Sequence, residues 1–459
     1  MKRIFRNILC LSLSSLLLTS FSFAQDTLQQ NNQVVIGWLK QNAISIKHVE
    51  AGNGFSDFQP FKKILKDVNV LGVGETTHGT REFFQFKHRL FEFLATEMGF
   101  TVFTLEASYA GCQPINDYVL YGKGDRATVL SGQGFVLWDT EELSALIDWM
   151  RAYNQKVLGS KKVRFYGLDL WYNGFGREKV LEYLKKYDTG RVPETDALFA
   201  ILAQEEDMWP MRMDEIEPKV KVLLPQVESL IDHLANNKSM FVSASSTGEF
   251  KQILKYVQVM RQWLVSIVND PLSQPKNSVR SKFKAENLLY LMEAMPDAKF
   301  VAWEHNDHTG YGYPVTGSRN MGSTLRDKIG KAYYAMGFEF DRGSYQSRLA
   351  LADRIPGDLV KDTVPTAPEK SLPWYLTRAN KGNLFLNLRV SRQDSIVEQW
   401  LINPQIVRKI SWIHQEDASQ NFEKVSIKSR YDGILFIDST TSVRPTPNAL
   451  EAASKREKF

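Results

Sequence analysis

Three of the chain's seven histidines lie in two short motifs crowded with acids. The first reads Gly74-Glu75-Thr76-Thr77-His78-Gly79 and the second Trp303-Glu304-His305-Asn306-Asp307-His308. An imidazole titrates near working pH, so it can take a proton from water or return one to a leaving group. A carboxylate beside it fixes its tautomer and raises its basicity. Water activated in this way would attack an ester or lactone carbonyl. Glu75, His78, His305 and His308 are equally ordinary donors to zinc or another divalent ion, whose bound water would do the work of the base. Their spacing differs from the His-Glu-x-x-His helix of zinc proteases. Residue types alone leave both chemistries open.

Other residues extend or limit this set. Glu106 closes the run Leu105-Glu106-Ala107, and Asp169 closes Gly167-Leu168-Asp169. Asp169 serves a substrate or, equally well, caps a helix. Lys87 and Arg280 are candidate cations for a developing oxyanion, and Trp303 is a candidate wall for substrate. No Gly-x-Ser-x-Gly is present, so the nucleophile elbow of serine hydrolases is absent. Ser281-Lys282-Phe283-Lys284 matches Ser-x-x-Lys without a Lys-Thr-Gly partner and reads as the polar face of a basic helix. His88, between Lys87 and Arg89, reads as solvated. Gly72-Val73-Gly74 is a poor dinucleotide loop, because the third glycine is misplaced and Glu75 would repel a pyrophosphate. Cys112, among Ala110 and Gly111, reads as a buried bystander.

The elements that must hold these residues are legible as alternating patterns. Asp67–Val73, Gly99–Leu105 and Val163–Leu168 are strand-like, with helices around Phe83–Met98 and Glu141–Tyr153 between them, which is βαβ architecture. Residues 176–296 carry only helical periodicity and read as a helical insertion, in which Met208, Trp209, Met211 and Met213 would form an adaptable apolar wall. Strand patterns return at Lys299–Trp303, Ala332–Phe340, Gly382–Leu388 and Gly433–Ile437. Residues 354–373 read as a long loop, and the tail beyond Pro445 as mobile. The expected fold is therefore α/β, a mainly parallel sheet flanked by helices, with parts at 25–175 and 297–459 around the insertion. Four strands in succession end in Glu, Asp or His, and ligands in such sheets sit at the carboxyl ends of strands.

Residues 1–24 precede this fold. Lys2, Arg3 and Arg6, the apolar stretch Ile8–Leu18 and Ser22-Phe23-Ala24 form a secretory signal peptide with cleavage before Gln25. The expected location is periplasmic or secreted. Cys112 then stands as the single cysteine, so a disulfide cannot stabilise the exported chain. The whole sequence has 459 residues, 43% hydrophobic and 12% aromatic, which excludes a disordered chain. Its formal charge of +5 shrinks once the basic leader is removed, so nucleic acid is not an expected partner. The expected partner is a small molecule met by a monomer, with no membrane association after cleavage.

These motifs together resemble the erythromycin esterase family. The likeness rests on Gly74 through Phe84 with Lys87, on Gly99-Phe100 through Ala107, on Gly167-Leu168-Asp169, on Trp303 through His308 and on Tyr431-Asp432-Gly433. It runs from about residue 35 to Pro445. The resemblance implies hydrolysis of the lactone of 14-membered macrolide antibiotics, hence macrolide resistance, without a cofactor. It implies His78 as general base, with Glu75, Glu106, His305 and His308 at the other active-site positions. Lys87 stands where some members carry arginine. Where the family often has an Arg-Asp pair before a Glu-Asn step, this chain has Arg280-Ser281 before Glu286-Asn287. A distant likeness of fold to haem-binding proteins makes a haem or small-molecule carrier the non-enzymatic alternative. A metal-dependent hydrolase of another ester or lactone is the enzymatic one.

Overall fold

Val70-Leu71-Gly72-Val73 has no polar face, and a strand buried on both sides belongs inside a parallel sheet. The computed structural model describes residues 29–207, 213–269, 278–312, 319–350, 356–390, 394–410, 412–414, 416–417 and 421–455. It places this run at the centre of the main sheet. The strands are β1 (Ile44–Ser45), β2 (Val70–Val73), β3 (Phe100–Ser108), β4 (Arg164–Asp169), β5 (Lys299–Trp303), β6 (Tyr333–Ala350), β7 (Pro356–Val364), β8 (Leu384–Asn387), β9 (Pro404–Arg408), β10 (Phe422–Ser426) and β11 (Gly433–Thr440). Nine of them form one sheet in the order β1-β8-β11-β6-β2-β5-β3-β4, with β7 paired to β6. The stretch from β11 to β4 is parallel throughout. β8 joins β11 antiparallel, β1 joins β8 antiparallel, and β9 and β10 make a separate hairpin.

Helices cover both faces. The Arg81–Glu97 helix presses Phe83, Phe84, Phe86, Phe91 and Phe93 onto one face, where Phe83 meets Phe338 and Phe84 meets Trp303 edge-on. The helices Gly174–Tyr187, Val192–Asp207, Met213–Asn236 and Thr247–Asn269 enclose a separate core that includes Leu184, Leu202, Val227, Val257 and Leu264. The Ser278–Ala294 helix behaves differently. Its Ala285, Leu288 and Leu291 join Val102, Phe300 and Ala302 on the other face of the sheet, so the helical cluster stops short of residue 296. The apolar wall expected from Met208, Trp209, Met211 and Met213 lies outside the described residues and side chains, as does the leader 1–24.

Two expectations are corrected. Residues 356–364, expected inside a loop, are strand β7, because β6 runs on past the sheet and pairs antiparallel with them from Gly343↔Val364 to Ala350↔Pro356. The prolines fall at the first residue of the strand and just after it, where no ladder donor is lost. The tail beyond Pro445, expected mobile, forms a helix at Pro447–Ser454. Thr446 caps it, Pro447 opens it, and Ala449 and Ala453 are buried with Val136 and Leu137.

Candidate active site

The order β2-β5-β3-β4 makes four acid- or histidine-bearing strand ends into neighbours. Two glycines set the path after β2. A Cβ on Gly74 would stand 2.1 Å from Asn306 Oδ1, and one on Gly79 would stand 1.9 Å from the Gln346 carbonyl. Only a residue without a side chain lets the loop pass between the β5 turn and the outer half of β6. Glu75 and His78 lie between those two constrictions.

Glu75 has no exposed surface, yet all of its charge is answered. Its Oε1 lies 2.6 Å from His78 Nδ1, while Lys87 Nζ and Trp303 Nε1 donate to its Oε2 at 2.6 and 2.7 Å. An ionised carboxylate accepts only, so this contact places a proton on His78 Nδ1, and in the neutral ring that leaves the lone pair on Nε2. The ring is fixed edge-on against Trp138 at 5.0 Å and Phe135 at 5.9 Å, and a tenth of the side chain is exposed. A ring held in this way is oriented for proton transfer.

Lys87 and Trp303, expected to meet substrate, are instead placed behind Glu75. The Lys87 side chain is wholly buried, with its ammonium 4.1 Å above the Trp303 ring. Burial pushes Lys87 down to about 8 against the pull of Glu75. His88, expected on a solvated face, is buried beside Trp149 with Nε2 3.3 Å from Glu92. Cys112 is buried and its thiol is pushed up by desolvation, so it stays protonated and inert.

The second half of the site is centred on Glu106. The register of β3 against β4 shifts between Leu105 and Ser108, and Glu106 lies within this irregularity. Trp138 Nε1 donates to the Glu106 carbonyl at 2.8 Å and pins it. The carboxylate accepts from Lys284 at 2.9 Å, from Arg280 at 3.1 Å and from the His305 amide at 2.7 Å. Despite full burial, Lys284 and Arg280 hold it well below the ordinary carboxylate range. Asp169 takes two donors of the Arg280 guanidinium, Nε at 3.0 Å and Nη2. It therefore anchors the arginine and caps no helix. Arg280 keeps 17% of its side chain exposed.

His305 joins the two halves. Its Nδ1 accepts the Asp307 amide at 3.3 Å, which puts the proton on Nε2. That Nε2 is buried and, among the described residues, donates to no protein atom. The His305 ring lies 5.2 Å from the His78 ring, and burial holds its pKa down, so it stays neutral. The two imidazoles thus lie side by side, tilted by 52° to one another. His308 sits deeper. Its Nδ1 is 2.9 Å from Ser281 Oγ, and its Nε2 is 3.1 Å from Glu106 and 3.2 Å from Arg280.

Several site residues escape a reading of the sequence. Ser281 and Lys284, expected on a polar helix face, are buried against the sheet; Lys284 bridges Glu106 and Glu304. The signal was present as Arg280, Ser281, Lys284 and Asn287, a polar stripe at helical spacing beside apolar Ala285, Leu288 and Leu291. Glu304 is fully buried, and desolvation with neighbouring acids pushes it up to about 8. Of the residues considered as metal donors, Glu75 and His78 pair with each other, and His308 pairs with Ser281, Glu106 and Arg280. Among the described residues no three His, Cys, Asp or Glu side chains converge where a metal could sit.

A family model described as erythromycin esterase matches residues 95–440. Glu75, His78 and Lys87 precede that span. The chain is 25% identical to erythromycin esterase type II of Escherichia coli over 430 residues, covering 88% of this chain and 97% of that protein. Its fold is similar to the crystal structure of a Bacillus cereus protein, with a TM-score of 0.77 at 22% identity over 90% of this chain and 99% of that one. A mutant erythromycin esterase in its open conformation is similar with a TM-score of 0.65 at 14% identity, over 84% of this chain and 94% of that one.

Proposed function

From the premise that the chain belongs to the erythromycin esterase family and is a hydrolase, we propose that it opens the lactone ester of 14-membered macrolides with water activated by His78. The observation that carries this reading is the pairing of His78 Nε2, a base held through Nδ1 by Glu75, with the unsatisfied Nε2–H of His305. Water placed on His78 loses a proton as it attacks the carbonyl. His305 donates to the carbonyl oxygen as negative charge develops there, and the exposed edge of Arg280 adds a fixed positive charge. The proton held by His78 then passes to the leaving alkoxide. Base catalysis supplies about 10²–10⁴-fold, so the donors and the positioning of substrate supply the remainder.

The leader-like residues 1–24 support export, which would place the enzyme where it meets a macrolide before the antibiotic reaches the ribosome and so confer resistance. The test is mass spectrometry of erythromycin incubated with the purified chain lacking residues 1–24, with and without a chelator. The expected product is heavier by one water in both arms. An unchanged macrolide would refute the substrate, and loss of product with chelator would favour the metal-dependent reading.

A further inference from the structure

His308 is enclosed by charge. Arg280 and Lys284 approach from the Ser278–Ala294 helix, Glu106 from β3, Glu304 from the end of β5, and His305 and Asp307 from its own turn. At Nε2 one neighbour, Arg280, can only donate and another, ionised Glu106, can only accept. Nε2 is therefore satisfied with or without a proton, and the state of the ring is decided at Nδ1. The partner there is the hydroxyl of Ser281 at 2.9 Å, itself 1% exposed.

We propose that Ser281 is the positioning residue of His308: its uncharged hydroxyl holds the imidazole in the neutral form, with Nε2 between Arg280 and Glu106. A hydroxyl donates to Nδ1 or accepts from it, so it fits either neutral tautomer. A carboxylate in its place would accept only; it would put a proton on Nδ1 and favour a second proton on Nε2. The resulting imidazolium would be a third cation against Arg280 and Lys284. It would also fix an N–H on Nε2 facing Arg280 Nη1, 3.2 Å away. The Arg280 guanidinium thus lies between Asp169 on one side and His308 on the other, with Ser281 behind the imidazole. Burial and the two cations already hold His308 down to about 4, in keeping with a neutral ring.

This inference rests on the reading of Arg280 as the cleft's cation, but its test does not depend on turnover. The ring nitrogens of ¹⁵N-histidine-labelled full chain are followed from pH 5 to 9, and His308 is identified by its loss in His308→Gln. The wild type and Ser281→Thr are expected to show a neutral His308 throughout. Ser281→Asp is expected to raise its titration by about 1–3 pH units, as an opposite charge at contact does. Ser281→Ala is expected to alter the two ring-nitrogen shifts while the circular dichroism stays unchanged. An aspartate that leaves the titration in place, an alanine that leaves both shifts in place, or a threonine that behaves like alanine would each overturn the proposal. Protein that fails to open any lactone yet titrates as expected would refute the esterase reading and leave this one standing.

Discussion

At the scale of residues, the site is a set of buried charges that answer one another. Glu75 is usable as a carboxylate because Lys87, Trp303 and His78 all donate to it. Removing one member of a buried ion pair leaves the other uncompensated, at a cost of roughly 3–5 kcal/mol. Lys87→Met is therefore expected to lower the unfolding free energy by about that amount in a denaturant titration; a loss below about 1 kcal/mol, the size of an exposed pair, would contradict the pairing. Cys112 tests the opposite case. With its thiol buried and held protonated, Cys112→Ser is expected to leave the hydrolysis rate within about twofold; abolished turnover in a folded variant would reveal a missed nucleophile. Glu75, His78, Glu106 and His305 were legible in the sequence because ionisable residues at strand ends are hard to explain by packing, and Arg280 was legible as a candidate cation for the oxyanion. The placing of Lys87 and Trp303 behind Glu75 was not, since a sequence does not say which side of a carboxylate a neighbour approaches.

At the scale of elements, strand ends read well and edges read poorly. β2, β3, β4 and β5 are mainly apolar and mostly buried, and burial on both faces leaves few alternatives. β7 was hidden because its sequence, Pro356-Gly-Asp-Leu-Val-Lys-Asp-Thr-Val364, has too few apolar residues to signal a strand. It is a strand because the outer half of β6 offers it a ladder. The Ser278–Ala294 helix escapes its sequence for a related reason: Lys284 and Ser281 look solvated until the acids and the histidine that they meet are in view. The terminal helix yields a prediction of its own. Deleting residues 447–459 uncovers Val136 and Leu137 and removes Ala449 and Ala453 from that cluster. At about 0.8 kcal/mol per buried methylene the expected loss is roughly 1–2 kcal/mol, read as a lower Tm. An unchanged Tm would show that the helix adds nothing to the fold.

At the scale of the whole molecule, the balance of buried charge ties stability to pH. Arg280 and Lys284 face three acids, Glu106, Asp169 and Glu304. Two cations balance two carboxylates, so the third acid keeps a proton. Glu304 is that acid, pushed up to about 8, whereas Glu106 and Asp169 are held down. A carboxyl with a raised pKa binds its proton in the folded state and loses it in the unfolded one. Its stabilisation is complete below about 4.5 and fades as pH rises through about 8. The wild type is thus expected to lose stability between pH 5 and 8 relative to Glu304→Gln, measured by urea midpoints; parallel curves would contradict the assignment. The central claim, that His78 held by Glu75 activates water, has a more direct test. It is the rate of erythromycin lactone opening by His78→Ala against wild type at matched Tm. The expected result is a loss of about 10²–10⁴-fold, the share a general base supplies. A folded variant that keeps more than about a tenth of the rate would contradict it, because so small a loss is less than a base contributes.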